Sequence, residues 1–286
     1  MTLIKKLLCV AYCICVISGS AYSQNLLDHA NSYKYAEYLF STHQYDLAAI
    51  EFERVIFLEP KDTLAKLKLV QSYRYLNNYN YALERIENFF PHNLNYLPAE
   101  FSDEYIKNLL YEHQYQEASV FLQNNNTLDL KNKAEYQLGV LAMSNHWIEA
   151  NSFAIDHSEL LSESEKYVGV NGIVMDGLQT RYKSPALAAS LSAIIPGAGK
   201  AYTKQWKDAV YSFLFVSASI WLTYESYSKN GFAFNSIFWG SIAIGFYSAN
   251  IYGSHKSAKR YNLRINQSQT RKVEDILLND QRNKAP

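Results

Sequence analysis

Apolar and polar positions divide the chain into three stretches of different texture. Residues 7 to 17 form an uncharged apolar run behind Lys5 and Lys6. From about residue 29 to residue 165, apolar positions recur among polar ones at helical spacing, and beyond residue 184 the uncharged stretches lengthen again. In the middle stretch an aromatic is followed three residues later by alanine at Tyr45/Ala48, Tyr79/Ala82, Tyr115/Ala118 and Trp147/Ala150, at spacings of 34, 36 and 32 residues. Leu39, Tyr73, Leu109 and Leu141 stand six residues before these aromatics, and Phe52, Ile86 and Leu122 follow the alanines by four. Offsets of three and four share one helix face. Each match therefore reads as the second helix of a helix-turn-helix, whose aromatic covers the turn and whose alanine admits a close neighbour. Pro60 and Pro91 close the first two units, because proline cannot continue a helix.

On these residues the segment 29 to 165 resembles the tetratricopeptide repeat family, which has aromatic, alanine, large apolar residue and proline at such offsets in a unit of about 34 residues. The third and fourth units depart from it, lacking the terminal proline, and Ala154 replaces the large residue in the fourth. A helix pair cannot bury its apolar face alone, so stacked pairs share one core and curve around a groove. The resemblance implies protein binding in that groove. Lys34, Tyr38, Lys66, Tyr73 and Lys107 on the first helices are the partner-binding candidates by analogy.

Two uncharged runs follow, Ala209 to Tyr224 and Phe232 to Tyr252, separated only by Glu225 to Gly231. They read as a helical hairpin, and a helix of about 20 residues reaches across a hydrocarbon core. Ser241, Gly245, Ala249 and Gly253 recur every fourth residue, a stripe suited to close helix packing. Ahead of the hairpin stand Ser184-Pro185-Ala186-Leu187-Ala188 and a turn containing Pro196, Gly197, Gly199 and Tyr202. This segment resembles a family of Gram-negative membrane-hairpin domains of unknown function, with Lys200 where that family carries glutamine. The resemblance implies a membrane architecture and no chemistry. A phosphate loop is excluded because Ile194 and Ala201 occupy its first glycine and hydroxyl positions.

Charge sharpens the division. Residues 25 to 183 carry 13 basic and 22 acidic side chains, and residues 184 to 286 carry 12 and 5, a net of −9 against +7. Basic residues flank the hairpin at Lys200, Lys204 and Lys207 and again from Lys256 to Arg264, which predicts a cytoplasmic C-terminus. An exported repeat array then needs a further span over Ala186 to Tyr202, giving three; the alternative is two spans with that segment lying in the interface. The Lys256 to Arg264 cluster reads as an anchor for anionic lipid. Residues 1 to 23 have the basic, apolar and small-residue order of a signal peptide. Cys9, Cys13 and Cys15 all lie in it, leaving no cysteine for disulfide or thiol chemistry after cleavage.

The seven histidines show no four-residue ligand spacing, and no serine elbow or facing carboxylate pair occurs. No enzyme activity, cofactor or metal is expected. The fold class expected is all-α: a tetratricopeptide-like solenoid followed by a transmembrane helical hairpin. The domains are a signal peptide (1–23), repeats (24–165), a linker (166–183), a membrane domain (184–262) and a polar tail (263–286). The expected function is a membrane-tethered protein-interaction scaffold of the bacterial envelope, in the inner membrane with periplasmic repeats. Its partners are other proteins and the lipid bilayer, with no nucleic acid. The alternative is an oligomeric membrane component, a homo-oligomer through its apolar helices, regulated by the repeats.

Overall fold

A computed structural model describes residues 28–91 and 94–278. The segment read as a signal peptide, with its three cysteines, lies outside the described residues. Among those described there is no β-strand, and the chain divides into two compact units, Met1–Asp129 and Leu130–Pro286.

The first unit is three helix pairs: α1 (His29–Ser41) with α2 (Tyr45–Leu58), α3 (Thr63–Tyr75) with α4 (Tyr79–Phe89), and α5 (Ala99–Tyr111) with α6 (Tyr115–Asn124). A single 3-10 turn, Leu94–Tyr96, precedes α5. Asp28 and Asp62 cap α1 and α3 by accepting from the N–H groups of Asn31 and Ala65 at 2.8 and 2.9 Å. Ala48, Phe52, Val55 and Leu69 are fully buried in the core between the first pairs. The alanine-plus-four spacing read from sequence thus places Ala48 and Phe52 in one interior.

The second unit opens with α7 (Leu130–Met143) and α8 (Trp147–Asp156), followed by the short α9 (Ser158–Leu161) and by α10 (Glu165–Gln179). Helix α11 (Pro185–Ile194) breaks at Pro196 and resumes as α12 (Ala198–Tyr202). Ser184 caps α11, accepting from Leu187 N–H at 3.2 Å, and Pro185 occupies its first turn, where no N–H is missed. Helices α13 (Trp206–Asn230) and α14 (Phe234–Leu277) then form a hairpin. Helix α14 runs 44 residues, and its end packs on α7 and α10: Thr270 Oγ1 donates to Met143 O at 3.2 Å and Gln269 Nε2 to Thr180 Oγ1 at 3.0 Å. Most of the stretch read as a linker is therefore α10, and residues 263–277 of the stretch read as a polar tail continue α14.

Among the described residues one turn recurs five times, four times as read and once more at Trp206. Its left-handed residue is His43, Asn77, His113, Asn145 or Lys204, with φ of 61°, 59°, 58°, 61° and 63°. The next residue's N–H donates five positions back: Gln44 to Leu39, Asn78 to Tyr73, Gln114 to Leu109, His146 to Leu141 and Gln205 to Lys200, at 2.9 to 3.0 Å. The left-handed residue donates three positions back, completing the Schellman arrangement. The six-residue spacing before each aromatic thus has a backbone cause, since the marked residue supplies the carbonyl that ends its helix. The fifth copy also keeps the alanine, Ala209, which is buried.

The transmembrane hairpin is not upheld: no helix of the described residues is long and apolar enough to cross a membrane. Hydroxyl and amide side chains interrupt both runs, among them Ser212, Ser219, Thr223, Ser236 and Asn250, and charged Asp208 and Glu225 bound the first. Several are used within the fold rather than merely tolerated. Asn250 bonds Gly197 N–H and Ser192 O, both at 2.9 Å, and Ser192 Oγ meets Ser254 Oγ at 2.6 Å. The expected first span, Ala186 to Tyr202, is broken into α11 and α12. The same finding corrects the inner-membrane placement, and the membrane tether and the topology inferred for the C-terminus lose their basis with it.

Candidate functional site

Two surfaces carry chemistry beyond packing. The first runs across the helix pairs of the first unit. Tyr45 stacks on Tyr75 at 4.7 Å between centroids, and Tyr79 stacks on Tyr111 at 4.6 Å, so these two turn aromatics rest on the first helix of the following pair. The left-handed residue of each turn clasps its tyrosine. His43 Nδ1 lies 2.6 Å from Tyr45 Oη, Tyr79 Oη donates to Asn77 Oδ1 at 2.7 Å, and His113 Nδ1 lies 2.8 Å from Tyr115 Oη.

Beneath this aromatic row lies a buried ionic cluster absent from the sequence reading. Arg74 grips Glu104 with both Nε and Nη2, at 2.6 and 3.2 Å, and Gln71 adds a bond to the same carboxylate. Burial works against the Arg74 charge, but the adjacent Glu104 outweighs it and raises the guanidinium pKa further above its ordinary value. Arg85 pairs with Glu53 one helix pair away. Tyr105 donates to Glu87 at 3.1 Å, and burial followed by the Glu87 charge raises its hydroxyl pKa. Burial, then the charge of Glu37, pushes the Tyr33 hydroxyl up to about 12. Arg74 and Glu104 are thirty positions apart, close to the repeat period, which was the one signal that could have paired them.

The partner-binding candidates separate into different environments. Lys34 and Tyr38 are exposed on α1, with Tyr38 59% open to solvent. Lys66 is half-buried with its ammonium 5.1 Å from the Phe89 ring, and Tyr73 is half-buried and stacked on exposed Tyr81 at 5.8 Å. Lys107 is buried and pairs with Asp103 at 2.6 Å, so it belongs to the interior ionic layer.

The second surface surrounds the glycine turn of the second unit. Gly197 has φ +86°, and a Cβ there would lie 2.2 Å from Ala209 O. A Cβ on Gly199 would lie 1.8 Å from Ala188 O, a backbone atom that cannot swing aside. The spacing from Ser184-Pro185 through Ala188 to Pro196-Gly197-Ala198-Gly199 therefore encodes a cap, a close backbone approach and a left-handed turn. Tyr202 Oη accepts from Ser184 N–H at 3.3 Å, and Lys183 lies 4.4 Å from its ring. Of the small-residue stripe, Ser241, Gly245 and Ala249 are exposed, and a Cβ added at Gly253 would lie 3.5 Å from Lys200 Cε. The buried seam of α14 lies beside that stripe, at Ser236, Ala243, Asn250, Ser254 and Ser257.

No protein-family model and no curated protein matches the chain. What stands is a helical, repeat-like all-α protein with adjacent helices packed within each unit, compatible with a helical-repeat fold. Among the described residues, no group of three or more His, Cys, Asp or Glu is placed to hold a metal ion.

The fifth turn was missed in sequence for two reasons. Trp206 lies 59 positions after Trp147, which breaks the period, and Lys200 occupies the position that is apolar or aromatic in the other four. The aromatic-to-alanine spacing of Trp206 and Ala209 was the available signal.

Proposed function

We propose that this protein is a helical-repeat interaction scaffold that holds other proteins on the exposed faces of its first-unit helices. The observation that carries the reading is the recurrence of one Schellman turn, with the same buried alanine, at each aromatic marker of the repeats. Such a turn stacks helix pairs in one sense, which is the geometry that extended binding surfaces require. Tyr35 and Tyr38 project from α1 at 49% and 59% exposure beside Lys34, combining apolar area with donors, the composition that protein contacts favour.

The test is a photo-reactive phenylalanine analogue placed at Tyr38 or Tyr81 of the full chain in its own cells. The expected result is a discrete protein adduct at Tyr38 that Lys34→Glu weakens. Absence of adducts at both positions, with the protein folded and abundant, overturns the reading.

A second reading rests on the hairpin of the second unit. Phe213, Leu214, Trp221, Phe238 and Ile244 are 49% or more exposed along α13 and α14, and a row of exposed large apolar side chains marks a surface suited to protein contact. Self-association through this face is the corresponding function. Sedimentation velocity should show an oligomer that Phe213→Asp with Ile244→Asp dissociates; an unchanged monomer across the concentration range rejects it.

A further inference from the structure

The fifth turn differs from the other four in what surrounds its aromatic. Trp206 is 67% exposed, and neither it nor Lys204 offers a hydrogen-bond acceptor, so the clasp that ties His43 to Tyr45 has no counterpart here. Lys204 occupies the left-handed position at φ 63°, a conformation asparagine or histidine adopts more readily. Lys204 and Lys207 on one side and Arg260 and Arg264 on α14 face a recess of about 540 Å³ beside Trp206.

Four cations and one acid, Asp208, line this recess. Among the described residues none of the four has an ion-pair partner, whereas Arg54, Arg74, Arg85, Lys107 and Lys229 each have one. Arg260 and Arg264 stand one helical turn apart, a like-charge spacing that disfavours the helix unless an anion answers it. A concave site of one sign concentrates counter-charge. Guanidinium groups present planar paired donors that fit a phosphate's oxygens, and ammonium groups add point charge. A carboxylate presents two coplanar oxygens, whereas a phosphate group presents its non-bridging oxygens in a tetrahedral arrangement that cations on both sides of a recess can share.

We propose that the recess at the fifth turn binds a phosphate group, with the flat or apolar part of its carrier lying against Trp206. The carrier is either a soluble phosphate ester or the headgroup of an anionic lipid; the recognised chemistry is the same.

The experiment titrates the full-length chain with pyrophosphate, following tryptophan fluorescence, and in parallel with vesicles of phosphatidylglycerol or of phosphatidylcholine, followed by co-sedimentation. Saturable pyrophosphate binding supports the proposal with a soluble source. Binding to phosphatidylglycerol but not to phosphatidylcholine vesicles supports it with a headgroup source. In either arm Arg260→Gln with Arg264→Gln weakens binding by about tenfold or more, the loss of two charge-assisted contacts. Lys256→Gln with Lys259→Gln, on the same helix but outside the recess, changes it by less than about twofold, as general screening allows. Lys204→Gln with Lys207→Gln is the independent second pair, and unchanged circular dichroism controls for folding in each. No binding by the wild-type chain in either arm, or equal binding by both recess variants, overturns the proposal.

Discussion

Tyr45 and Tyr79 lie stacked on tyrosines of the following helix, whereas Trp206, at the same position of the same turn, stands in solvent. Backbone geometry is shared by both, so the turn alone does not decide whether its aromatic is structural. The first unit fills the space between pairs with rings and an ionic layer of Arg74, Glu104 and Gln71. The second unit closes its glycine turn onto α14 with almost no side-chain volume, through Gly199, Ser192, Asn250 and Ser254. Large, charged side chains make one seam, small hydroxyl and amide groups the other, and the two should fail differently.

The largest effect is expected at Arg74. Arg74→Met strands Glu104 in the interior and should lower unfolding free energy by about 3–5 kcal/mol, as loss of one partner of a buried pair does. Adding Glu104→Leu should restore part of that loss. Denaturant melts of both variants test this, and a double variant no better than Arg74→Met alone shows that the pair does not act as a unit. Gly199→Ala should cost about 3 kcal/mol by forcing backbone apart at Ala188, since overpacking a tight contact costs about 1–3 kcal/mol or more. Gly172→Ala, where an added Cβ meets nothing within 4 Å, is the matched control.

Tyr79→Leu should cost about 1 kcal/mol, the worth of an aromatic pair beyond its area, while Trp206→Leu should stay within about 0.5 kcal/mol. Equal losses at the two sites would erase the contrast drawn between the turns. The smallest effect is alkaline. With its folded pKa raised to about 12 against an ordinary 10, Tyr33 contributes stability that is complete below pH 10 and is lost as pH rises from 10 through 12. Tyrosinate absorbance should show a late-titrating phase near pH 12 that Tyr33→Phe removes.

Helical content, the helix pairs and the buried alanines were legible because periodicity reports burial directly. The bonds that join His43 to Tyr45 and His113 to Tyr115 were not legible, because they depend on the left-handed backbone between residues two apart. The apolar runs of α13 and α14 misled because a run without charge is not the same as a run without polarity. Asn250 and Ser254 reveal themselves as packing groups only when α11 is placed beside them. The cations around Trp206 were read separately, as two flanks of a hairpin, because Lys204 and Arg264 are sixty positions apart in the chain.

Helix α14 has a mechanical consequence. At 1.5 Å per residue its 44 residues form an unbroken rod of about 66 Å. At its far end Leu277 occupies the space where Gly139 lacks a side chain, and Ile276 does the same over Gly169. A tilt imposed where the rod begins, near Phe234, is therefore delivered as leverage on α7 and α10, with no joint between to absorb it.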